Sequence, residues 1–506
     1  MHAGQAIVLM IVLASLSIAS RIETASAQGI VAIRSGGLVD PPTAPILREG
    51  DLYTFTGNIG NPVSVEKSNI VIDGAGYTVE GGGGENGFSL YSMVNVTIKN
   101  ANIKSFDTGI YLESSSNIFL LENNITENRF YGVWLYYSSN NTVVGNNLTH
   151  SDYGIWLYYS SDNHISGNAA TDNGNGIGLY SFSNSNEVTM NKVSNNRMFG
   201  AYVRGSLWNV ISKNVFAHNS WGLYLRVDTN SNTISENIIT ANTNYGIRME
   251  SNSNHNHISR NEITKNHDCD IYLSSSSSNE ITENNITNSI LGMWLSSSDN
   301  YIYHINFSNN TQHVGKDPSA YANSLDNGLE GNHWSNYTGI DADHDGIGDS
   351  WRYIDETNVD HYPLMGMFSD FNATSEYHVH TICSSSISGF QFNGTAIRFN
   401  VSGETGTVGF CRIRIPTALM NATYEVFVNG TEVSCNLLSC SNSTHDYLYF
   451  NYTHSTQEVI IIPEFPSFLI LRLFMVPMLL AVTIHRGRRT VATQNNERTR
   501  RMRTCS

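Results

Sequence analysis

A cluster of aspartates near residue 345 is the motif of this sequence best suited to holding an ion. The segment Asp341-Ala-Asp-His-Asp-Gly-Ile-Gly-Asp349 places carboxylates at positions 1, 3, 5 and 9 and a glycine at position 6. With the backbone carbonyl at position 7, these are oxygen ligands of the kind that a hard Ca²⁺ ion takes. The segment therefore predicts a structural calcium site formed by Asp341, Asp343, Asp345, Ile347 and Asp349. Asx turns without a metal are the alternative.

A second group of charged residues lies in a repeated part of the chain. Arg204 and Arg226 hold the same position in successive repeats, and like charges directly opposite each other in a sheet are unfavourable. Glu250 of the next repeat, or an anionic ligand such as a uronate or sulfate, would offset this repulsion, since arginine binds such groups through two parallel hydrogen bonds. A surface cluster of salt bridges around Arg248 and Glu250, without any ligand, is the alternative.

Aromatic residues recur at the two variable positions of the same repeat. The first column contains Tyr111, Trp134, Trp156, Gly178, Tyr202, Tyr224, Arg248, Tyr272 and Trp294. The second column contains Tyr91, Glu113, Tyr136, Tyr158, Tyr180, Arg204, Arg226 and Glu250. Two adjacent columns of exposed aromatic rings predict a binding surface for flat sugar rings. The alternative is that the rings only stack on their own copies and stabilise the sheet.

A repeated phrase positions these side chains. A small residue, an apolar residue, a variable residue, another apolar residue and another variable residue recur about every 23 residues. Examples are Gly132-Val-Trp-Leu-Tyr136, Gly154-Ile-Trp-Leu-Tyr158 and Gly222-Leu-Tyr-Leu-Arg226. Alternation with a period of two predicts a strand whose apolar residues face the core and whose variable residues face outward. The fixed period indicates that each repeat is one coil, which buries its inner face by stacking on its neighbours.

Each coil contains two further short apolar segments, separated by Asn, Ser and Gly turns, so the sequence predicts three strands per coil. The fold class is therefore all-β, with a right-handed parallel β-helix of about ten coils whose strands lie about 4.8 Å apart. One asparagine per coil follows the second strand, and these amides are predicted to hydrogen-bond to their copies above and below. They are Asn146, Asn168, Asn191, Asn214, Asn237, Asn261 and Asn284.

The repeat resembles the NosD-like family of right-handed parallel β-helix repeats, within the wider group of carbohydrate-binding proteins and sugar hydrolases. The segment Asn69-Ile-Val-Ile-Asp-Gly-Ala-Gly-Tyr-Thr-Val-Glu80 resembles the first coil of that family. The resemblance implies the fold rather than one activity, because this fold hosts binders, lyases, hydrolases and epimerases. The family name comes from a copper-maturation factor, and this raises a copper site at His255, His257, His267 and Cys269 as a minor alternative.

The two ends of the chain predict export and anchoring. Residues 1–27 are a predicted signal peptide that ends in Ala25-Ser-Ala27. Residues 463–489 contain Pro463-Glu-Phe465, an apolar span and a basic stop, which resembles the sorting signal of archaeal surface proteins processed by archaeosortases. This segment predicts a C-terminal transmembrane helix, followed by a basic cytoplasmic tail at residues 490–506. Because Arg472 lies within the span, a retained single span is the alternative to processing.

Four segments are predicted between these ends. They are an N-terminal cap at 28–66, the β-helix at 67–315, a C-terminal cap with the Asp-rich calcium loop at 316–370, and a small antiparallel β-sandwich at 371–462. Cys383/Cys411 and Cys435/Cys440 are candidate disulfides of the last segment, and their connectivity stays open.

The net charge of the chain limits the classes of partner that it is expected to bind. Lys and Arg total 28 against 44 Asp and Glu, for a net charge of −16, which argues against nucleic acid. Sequons such as Asn95-Val-Thr97 and Asn285-Ile-Thr287 indicate a glycosylated surface. The sequence thus predicts a protein anchored at the cell surface that binds extracellular polysaccharide through its aromatic and arginine face. No catalytic residues are assigned. A polysaccharide lyase, hydrolase or epimerase is the first alternative, and a structural stalk or adhesin is the second.

Overall fold

The computed structural model describes residues 29–317, 322–420 and 423–464. The predicted signal peptide, nearly all of the predicted membrane span and the basic tail lie outside these residues. Within the described ranges the chain consists of strands and turns, and no helix there is long and apolar enough to cross a membrane.

Contacts divide the chain into two compact units. The first unit runs up to Ala342 and includes Ile347–Leu364. The second unit contains Asp343–Gly346 and the residues from Met365 onward. Each unit has its own buried hydrophobic cluster.

The first unit is a parallel β-solenoid of the right-handed type with about 12 turns. The sequence predicted about ten, because the repeated phrase is first recognisable at Gly87. The strands Val31–Ile33 and Val63–Val65 already pair in parallel with each other and with the next coil. Their alternation is too short to be recognised as part of the repeat, so the turns that they begin were missed.

Three long sheets form the sides of the solenoid. The first sheet has 14 strands, in the order Val39–Asp40, Val31–Ile33, Val63–Val65, Asn86–Tyr91, Thr108–Glu113, Tyr131–Tyr136, Tyr153–Tyr158, Asn175–Tyr180, Phe199–Arg204, Trp221–Arg226, Tyr245–Glu250, Cys269–Ser274, Leu291–Ser296 and Gln312–Lys316. The second sheet has 13 strands, in the order Ile46–Glu49, Leu52–Phe55, Ile70–Asp73, Val94–Lys99, Ser116–Leu121, Thr142–Val144, His164–Ser166, Glu187–Thr189, Val210–Ser212, Thr233–Ser235, His257–Ser259, Glu280–Thr282 and Tyr301–Tyr303. The third sheet has 12 strands, in the order His333–Trp334, Asn306–Ser308, Asn285–Thr287, Glu262–Thr264, Ile238–Thr240, Val215–Ala217, Lys192–Ser194, Ala169–Thr171, Asn147–Thr149, Asn124–Thr126, Asn102–Lys104 and Thr78–Glu80. A separate antiparallel pair joins Arg352–Tyr353 and Val359–Asp360.

The phrase glycines sit where neighbouring coils approach most closely. A Cβ atom added to Gly132 would lie 2.6 Å from the carbonyl oxygen of Gly154 in the next coil. Such a contact is shorter than van der Waals packing allows, so the position admits little beyond glycine. The same close approach to the next coil recurs at Gly154, Gly200 and Gly222.

Asparagine ladders satisfy the polar groups inside the turns, as the sequence predicted. The Nδ2 atom of Asn237 donates to the Oδ1 atom of Asn261 in the next coil at 3.0 Å and to the carbonyl oxygen of Ile211 in the preceding coil at 2.8 Å. The same pattern links Asn146, Asn168, Asn191 and Asn214. These side chains are almost fully buried, and a buried amide must find partners. The ladder therefore supplies the buried backbone of the turns with the hydrogen bonds that water would otherwise make.

The second unit contains two antiparallel five-stranded sheets. One has the order Met367–Asn372, His378–Cys383, Val408–Pro416, His445–Thr453 and Cys435–Leu437. The other has the order Ser386–Phe392, Ile397–Ser402, Gln457–Pro463, Tyr424–Val428 and Thr431–Val433. Buried residues from both sheets, such as Ile413 and Phe399, belong to one hydrophobic cluster.

Candidate functional site

The two predicted columns exist on the outer face of the first sheet. Strand register places Tyr111, Trp134 and Trp156 opposite one another in successive coils. The register likewise aligns Tyr136, Tyr158 and Tyr180. Because the register has no slip over these coils, the alternation of the repeat was sufficient to place both columns.

The first column is less exposed than the sequence suggested. The exposed fractions are 9% for Tyr111, 8% for Trp156 and 4% for Tyr224. A Cβ atom on Gly178 would lie 2.1 Å from Cε3 of Trp156, so the indole covers this glycine in the next coil. The expectation that the first column forms an open platform is therefore wrong at these positions.

A third column, which the sequence reading overlooked, covers the first. It consists of the aromatic residues that directly precede the phrase glycines, namely Tyr131, Tyr153, Phe199, Trp221 and Tyr245. The ring centroids of Tyr153 and Trp156 are 4.4 Å apart, and those of Trp221 and Tyr224 are 4.6 Å apart. Aromatic pairs at such distances stabilise a sheet beyond their area burial. The signal was available, since five repeats share an aromatic residue just before the glycine.

The exposed rings lie instead at the corner after the first sheet. Tyr137, Tyr159 and Phe182 form a stack, which we call the corner ladder. The centroids of Tyr137 and Tyr159 are 4.8 Å apart with an interplanar angle of 3°, and those of Tyr159 and Phe182 are 5.9 Å apart with an angle of 15°. Tyr137 is 51% exposed and Phe182 is 63% exposed. The corner ladder is thus a stack of nearly parallel rings, with Tyr137 and Phe182 exposed at its ends and Tyr159 half-buried between them.

Backbone conformation at the corner ladder is unfavourable for aromatic residues. The φ angles of Tyr137, Tyr159 and Phe182 are 47°, 51° and 56°. This left-handed region costs a residue with a Cβ atom about 1 kcal/mol or more, whereas Asn and Gly adopt it readily. Left-handed residues recur at this corner in other coils, for example Ser114 at 52° and Ser251 at 59°, so the conformation belongs to the turn and aromatic residues are only an unusual choice for it.

Arg248 and Glu250 form a closed cluster. The Nε and Nη2 atoms of Arg248 donate to Oε2 of Glu250 at 3.0 and 2.7 Å, and the Tyr224 hydroxyl donates to Oε1. The Arg248 guanidinium also lies 4.8 Å from the ring centroid of Trp221 and 4.9 Å from that of Tyr272. Burial alone would raise the pKa of Glu250, but the hydrogen bonds from Tyr224 and Arg248 hold it below its usual value. These groups satisfy each other and leave little for a ligand.

Arg204 and Arg226 differ in their surroundings. Nε of Arg226 lies 3.1 Å from Oε1 of Glu250, which offsets its charge as one sequence alternative predicted. Arg204 lies over the ring of Tyr180, with 4.9 Å between the guanidinium carbon and the ring centroid. Among the described residues no carboxylate is within salt-bridge distance of Arg204. Arg204 therefore remains available to an anion.

A groove lies between the second column and the corner ladder. We call it the corner groove; it has a volume of about 490 Å³. Tyr158, Tyr180, Phe182 and Arg204 line it together with Asp228. The rings of Tyr158 and Tyr180 are stacked, with centroids 5.4 Å apart and an interplanar angle of 17°. Stacked rings and a cation that no described carboxylate pairs with thus share one concave surface.

A larger groove of about 980 Å³ lies at the opposite border of the first sheet. Its charged lining residues, among them Glu127, His150 and Asp172, are exposed. Arg197 and Asp152 face each other across Gly174 at 3.6 Å, and exposed ion pairs at such distances contribute little. The corner groove is the better candidate because it combines flat apolar rings with an unpaired charge.

The predicted calcium ligands come together in part. Asp341, Asp343 and Asp345 each place a carboxylate oxygen within 4.8 Å of the others. The Oδ2 atom of Asp349 accepts a hydrogen bond from the backbone nitrogen of Ala342 at 2.7 Å, and the backbone of Ile347 bridges to Leu364. The three clustered carboxylates suit a hard cation.

The predicted copper ligands do not form a site. Nδ1 of His257 lies 3.2 Å from Oε2 of Glu280, and Nδ1 of His267 lies 2.8 Å from Oδ1 of Asp268. Cys269 is buried, its Sγ donates to the carbonyl oxygen of Ile271, and burial raises the pKa of its thiol. In the described part of the chain, none of these residues belongs to a group of three or more metal-type side chains. Their arrangement does not fit a copper ion.

The family comparison agrees with the resemblance drawn from the sequence. The family profile described as "Periplasmic copper-binding protein (NosD)" matches residues 49–209 and 181–339, which together are more than half of the chain. The chain therefore belongs to the NosD family. No match was found among proteins whose function has been curated.

Several solved structures share the β-helix fold. The A-module of mannuronan C-5 epimerase AlgE6 from Azotobacter vinelandii is 13% identical with a TM-score of 0.43, over 59% of this chain and 90% of that one. The Dettilon tailspike protein is 13% identical with a TM-score of 0.36, over 81% and 86% of the two chains. DFA-IIIase from Arthrobacter chlorophenolicus A6 is 10% identical with a TM-score of 0.38, over 52% and 84%. They share the fold at a low level, and their activities do not transfer to this chain.

Proposed function

We propose that this protein binds extended acidic saccharides along the corner ladder and in the corner groove. One observation supports this most directly: the nearly parallel, stacked rings of Tyr137, Tyr159 and Phe182 end at the corner groove, which Phe182 lines together with Arg204. At these centroid distances the rings form an offset stack, so their edges and the uncovered parts of their faces offer apolar surface against which sugar rings would pack. Because the rings belong to successive coils, a bound chain would run along the solenoid axis.

The charges at the corner groove indicate which class of saccharide it would bind. A net charge of −16 repels anions in general, so any preference for acidic chains must come from a local cation. Arg204 is such a cation, because its guanidinium can form two parallel hydrogen bonds to a uronate carboxylate or a sulfate. Arg226 and Arg248 are already satisfied by Glu250. The proposal therefore assigns selectivity to Arg204.

The cellular setting belongs to the same proposal. The predicted signal peptide and C-terminal span would place the glycan-binding surface outside the cell, on a single-pass or processed membrane anchor. The family description names a periplasmic protein, which supports an exported location. A lyase, hydrolase or epimerase acting on the same surface would release or modify sugars, whereas a purely structural stalk would bind none.

Replacing Tyr159 and Phe182 together by asparagine is expected to weaken saccharide binding by roughly fivefold to 150-fold. Two stacking surfaces of about 0.5–1.5 kcal/mol each would be lost. Asparagine adopts the left-handed backbone of both positions readily, and this relief offsets the loss of the ring contacts, so the unfolding midpoint should change little. A glycan array identifies the best acidic chain, and isothermal titration with that chain measures the change.

Two matched variants complete this experiment. Tyr301 is 54% exposed on the second sheet, and Tyr301→Ala should leave the affinity unchanged. Arg204→Gln should bring the affinity for acidic chains down to that for neutral ones, and high salt should weaken the wild type in the same direction. Equal affinity of wild type and the double asparagine variant would leave the corner ladder only a structural role. Release of reducing or unsaturated sugars would favour an enzyme.

We also propose that Ca²⁺ binds the Asp-rich loop as a structural ion. Asp341, Asp343 and Asp345 would supply carboxylate oxygens, and the ion would offset their mutual repulsion. Nη1 of Arg412 lies 3.3 Å from Oδ2 of Asp345 and donates to the carbonyl oxygen of the same residue at 2.8 Å. This cation competes for one ligand, so we expect the weak affinity typical of extracellular calcium sites, with a dissociation constant of about 0.1–1 mM.

Removing calcium is expected to accelerate amide exchange in residues 340–349. At ten to a hundred times the dissociation constant, the ion adds about 1.4–2.7 kcal/mol of stability by binding linkage. Hydrogen exchange with Ca²⁺ and with EGTA measures the difference. Asp341→Asn with Asp343→Asn should abolish the response, and Asp172→Asn, an exposed change on the solenoid, should preserve it. The same exchange with and without the ion would show that the loop binds none.

A further inference from the structure

Two of the cysteines lie directly opposite each other in the second unit. Cys383 of the strand His378–Cys383 faces Cys411 of the strand Val408–Pro416. The backbone nitrogen of Ser384 donates to the carbonyl oxygen of Phe410 at 3.2 Å, which makes the two cysteines a non-hydrogen-bonded pair of an antiparallel ladder. The Cα atoms of such a pair are about 4.5 Å apart, with the side chains close together. This separation falls within the range that a disulfide bridges without moving the backbone.

The surroundings make the two thiols unequal. Both are buried, with exposed fractions of 1% for Cys383 and 0% for Cys411. The Sγ atom of Cys383 lies 3.1 Å from the Tyr452 hydroxyl. Burial alone would raise the pKa of the Cys383 thiol, but hydrogen bonds from Cys411 and Tyr452 lower it. Burial, together with the neighbouring Cys383 sulfur, raises the pKa of Cys411 well above its usual value. Cys383 is therefore the better nucleophile of the pair.

Strand register places Cys435 opposite a different kind of residue. Cys435 lies opposite Phe450 in its ladder, and its Sγ donates to the carbonyl oxygen of Tyr424. Cys440 contacts Nη2 of Arg412. The sequence offers Cys383/Cys411 and Cys435/Cys440 as candidate disulfides without fixing their connectivity, and strand register favours Cys383 with Cys411.

We propose that Cys383 and Cys411 form a disulfide when the chain folds in an oxidising compartment. The oxidant is a small-molecule or protein disulfide. The Cys383 thiolate attacks one sulfur of that disulfide, which forms a mixed disulfide and releases one thiolate. Cys411 then attacks the Cys383 sulfur and its proton passes to the released thiolate. The second oxidant sulfur leaves as a thiolate and takes from solvent the proton that Cys383 gave up on ionising. Two cysteine thiols are oxidised, and one oxidant disulfide is reduced to two thiols.

The bond would act mainly on the unfolded chain of the second unit. It closes a loop of roughly 28 residues and so removes conformations from the unfolded state. Because the bridge links two neighbouring strands within one buried cluster, the folded sheets need not rearrange. Once folded, the buried sulfurs are shielded from reductants, so the bond should resist mild reduction.

The test uses the full chain refolded with oxidised glutathione. After denaturation and alkylation without reductant, Cys383 and Cys411 should be unmodified and their peptides should migrate as one linked species. Reduction should lower the unfolding midpoint of the second unit by on the order of 10 °C. Cys435→Ser and Cys440→Ser should each leave both the linked species and the reductant effect unchanged.

Two results would overturn the proposal. One is alkylation of both cysteines in the oxidised, denatured protein, and the other is a linked peptide that joins either of them to a different cysteine. Cys383→Ser and Cys411→Ser should each abolish the linked species and the reductant effect. Where either variant fails to fold, the wild type compared with and without reductant gives the same decision. None of these outcomes depends on whether the protein binds a saccharide.

Discussion

Replacing Asn237 by alanine is expected to lower the free energy of unfolding of the first unit by about 4 kcal/mol. Its side-chain oxygen accepts from both the backbone nitrogen and Nδ2 of Asn214, at 2.9 and 3.0 Å. Its Nδ2 donates to the carbonyl oxygen of Ile211 at 2.8 Å. Alanine would leave these buried groups without their partner, and an unsatisfied buried group costs about 1–3 kcal/mol. The midpoint of urea unfolding measures the loss.

A matched control tests whether the loss of stability is specific to a buried ladder asparagine or follows from removing any asparagine. Asn147 is exposed on the third sheet, where its Nδ2 donates to Oδ1 of Asn124. Asn147→Ala should change the free energy of unfolding by less than about 1 kcal/mol, because water replaces the lost partner. Since coils couple mainly to their neighbours, exchange in Asn237→Ala should increase most in the adjoining coils. Similar losses of unfolding free energy in both variants would show that the buried ladder contributes no more than an exposed asparagine.

The ladder shows why most of the fold could be predicted from the sequence. Only one alignment of the repeats, about 23 residues apart, matches the glycine, the apolar pair and the asparagine together. Each further repeat therefore supports the same assignment of strands and turns. The prediction weakened where the pattern faded. The strand Val31–Ile33 contains no phrase glycine, and its place in the first sheet depends on tertiary pairing with Val63–Val65.

The candidate site was predictable in position but not in exposure. Alternation identified which side chains of the first sheet face outward, and strand register confirms both columns. It could not show that Tyr153 would cover Trp156, because that contact depends on the two ring orientations. The corner ladder was missed for another reason. Tyr137 and Tyr159 occupy turn positions, where sequence patterns favour Asn, Ser and Gly and give no reason to expect aromatic rings.

The arginine cluster illustrates a prediction that left two outcomes open. Opposed Arg204 and Arg226 require a compensating charge, and both Glu250 and an anionic ligand satisfied that requirement. In the structure the two arginines have different surroundings. Glu250 compensates Arg226, whereas Arg204 rests on Tyr180 at the edge of the corner groove. Sequence spacing alone cannot make this distinction, because both arginines occupy equivalent positions.

One coil departs from the repeat at two places that compensate each other. Asp270 stands where other phrases have glycine, and Ser289 stands in the inner turn position where most neighbouring coils, such as the one containing Asn266, have asparagine. Nδ2 of Asn266 donates to Oδ1 of Asp270 at 2.7 Å, so the aspartate supplies the acceptor that the serine lacks. Ser151 also stands at a ladder position where other coils have asparagine. No aspartate supplies an acceptor there, and Nδ2 of Asn128 has no partner among the described groups.

The compensation by Asp270 carries an electrostatic cost. Asp270 is fully buried, and burial raises its pKa to about 8 despite the hydrogen bond from Asn266. In the unfolded chain an aspartate ionises near pH 4. Unfolding therefore releases a proton at any pH between about 4 and 8. The stability that the protonated group contributes is complete below about pH 4 and is lost as the pH rises towards 8.

Asp270→Asn is expected to raise the free energy of unfolding progressively above pH 4, relative to wild type. The asparagine keeps an oxygen that accepts from Asn266 but carries no ionisable group, so the two proteins should diverge by up to about 1.4 kcal/mol per pH unit until about pH 8. Urea unfolding of both proteins at pH 5, 6, 7 and 8 measures the difference, and their shared carboxylates cancel in the comparison. Asp172→Asn changes an exposed aspartate and should run parallel to wild type. A constant difference between Asp270→Asn and wild type would show that Asp270 is already ionised in the folded solenoid, which would require a compensating cation or water at the turn.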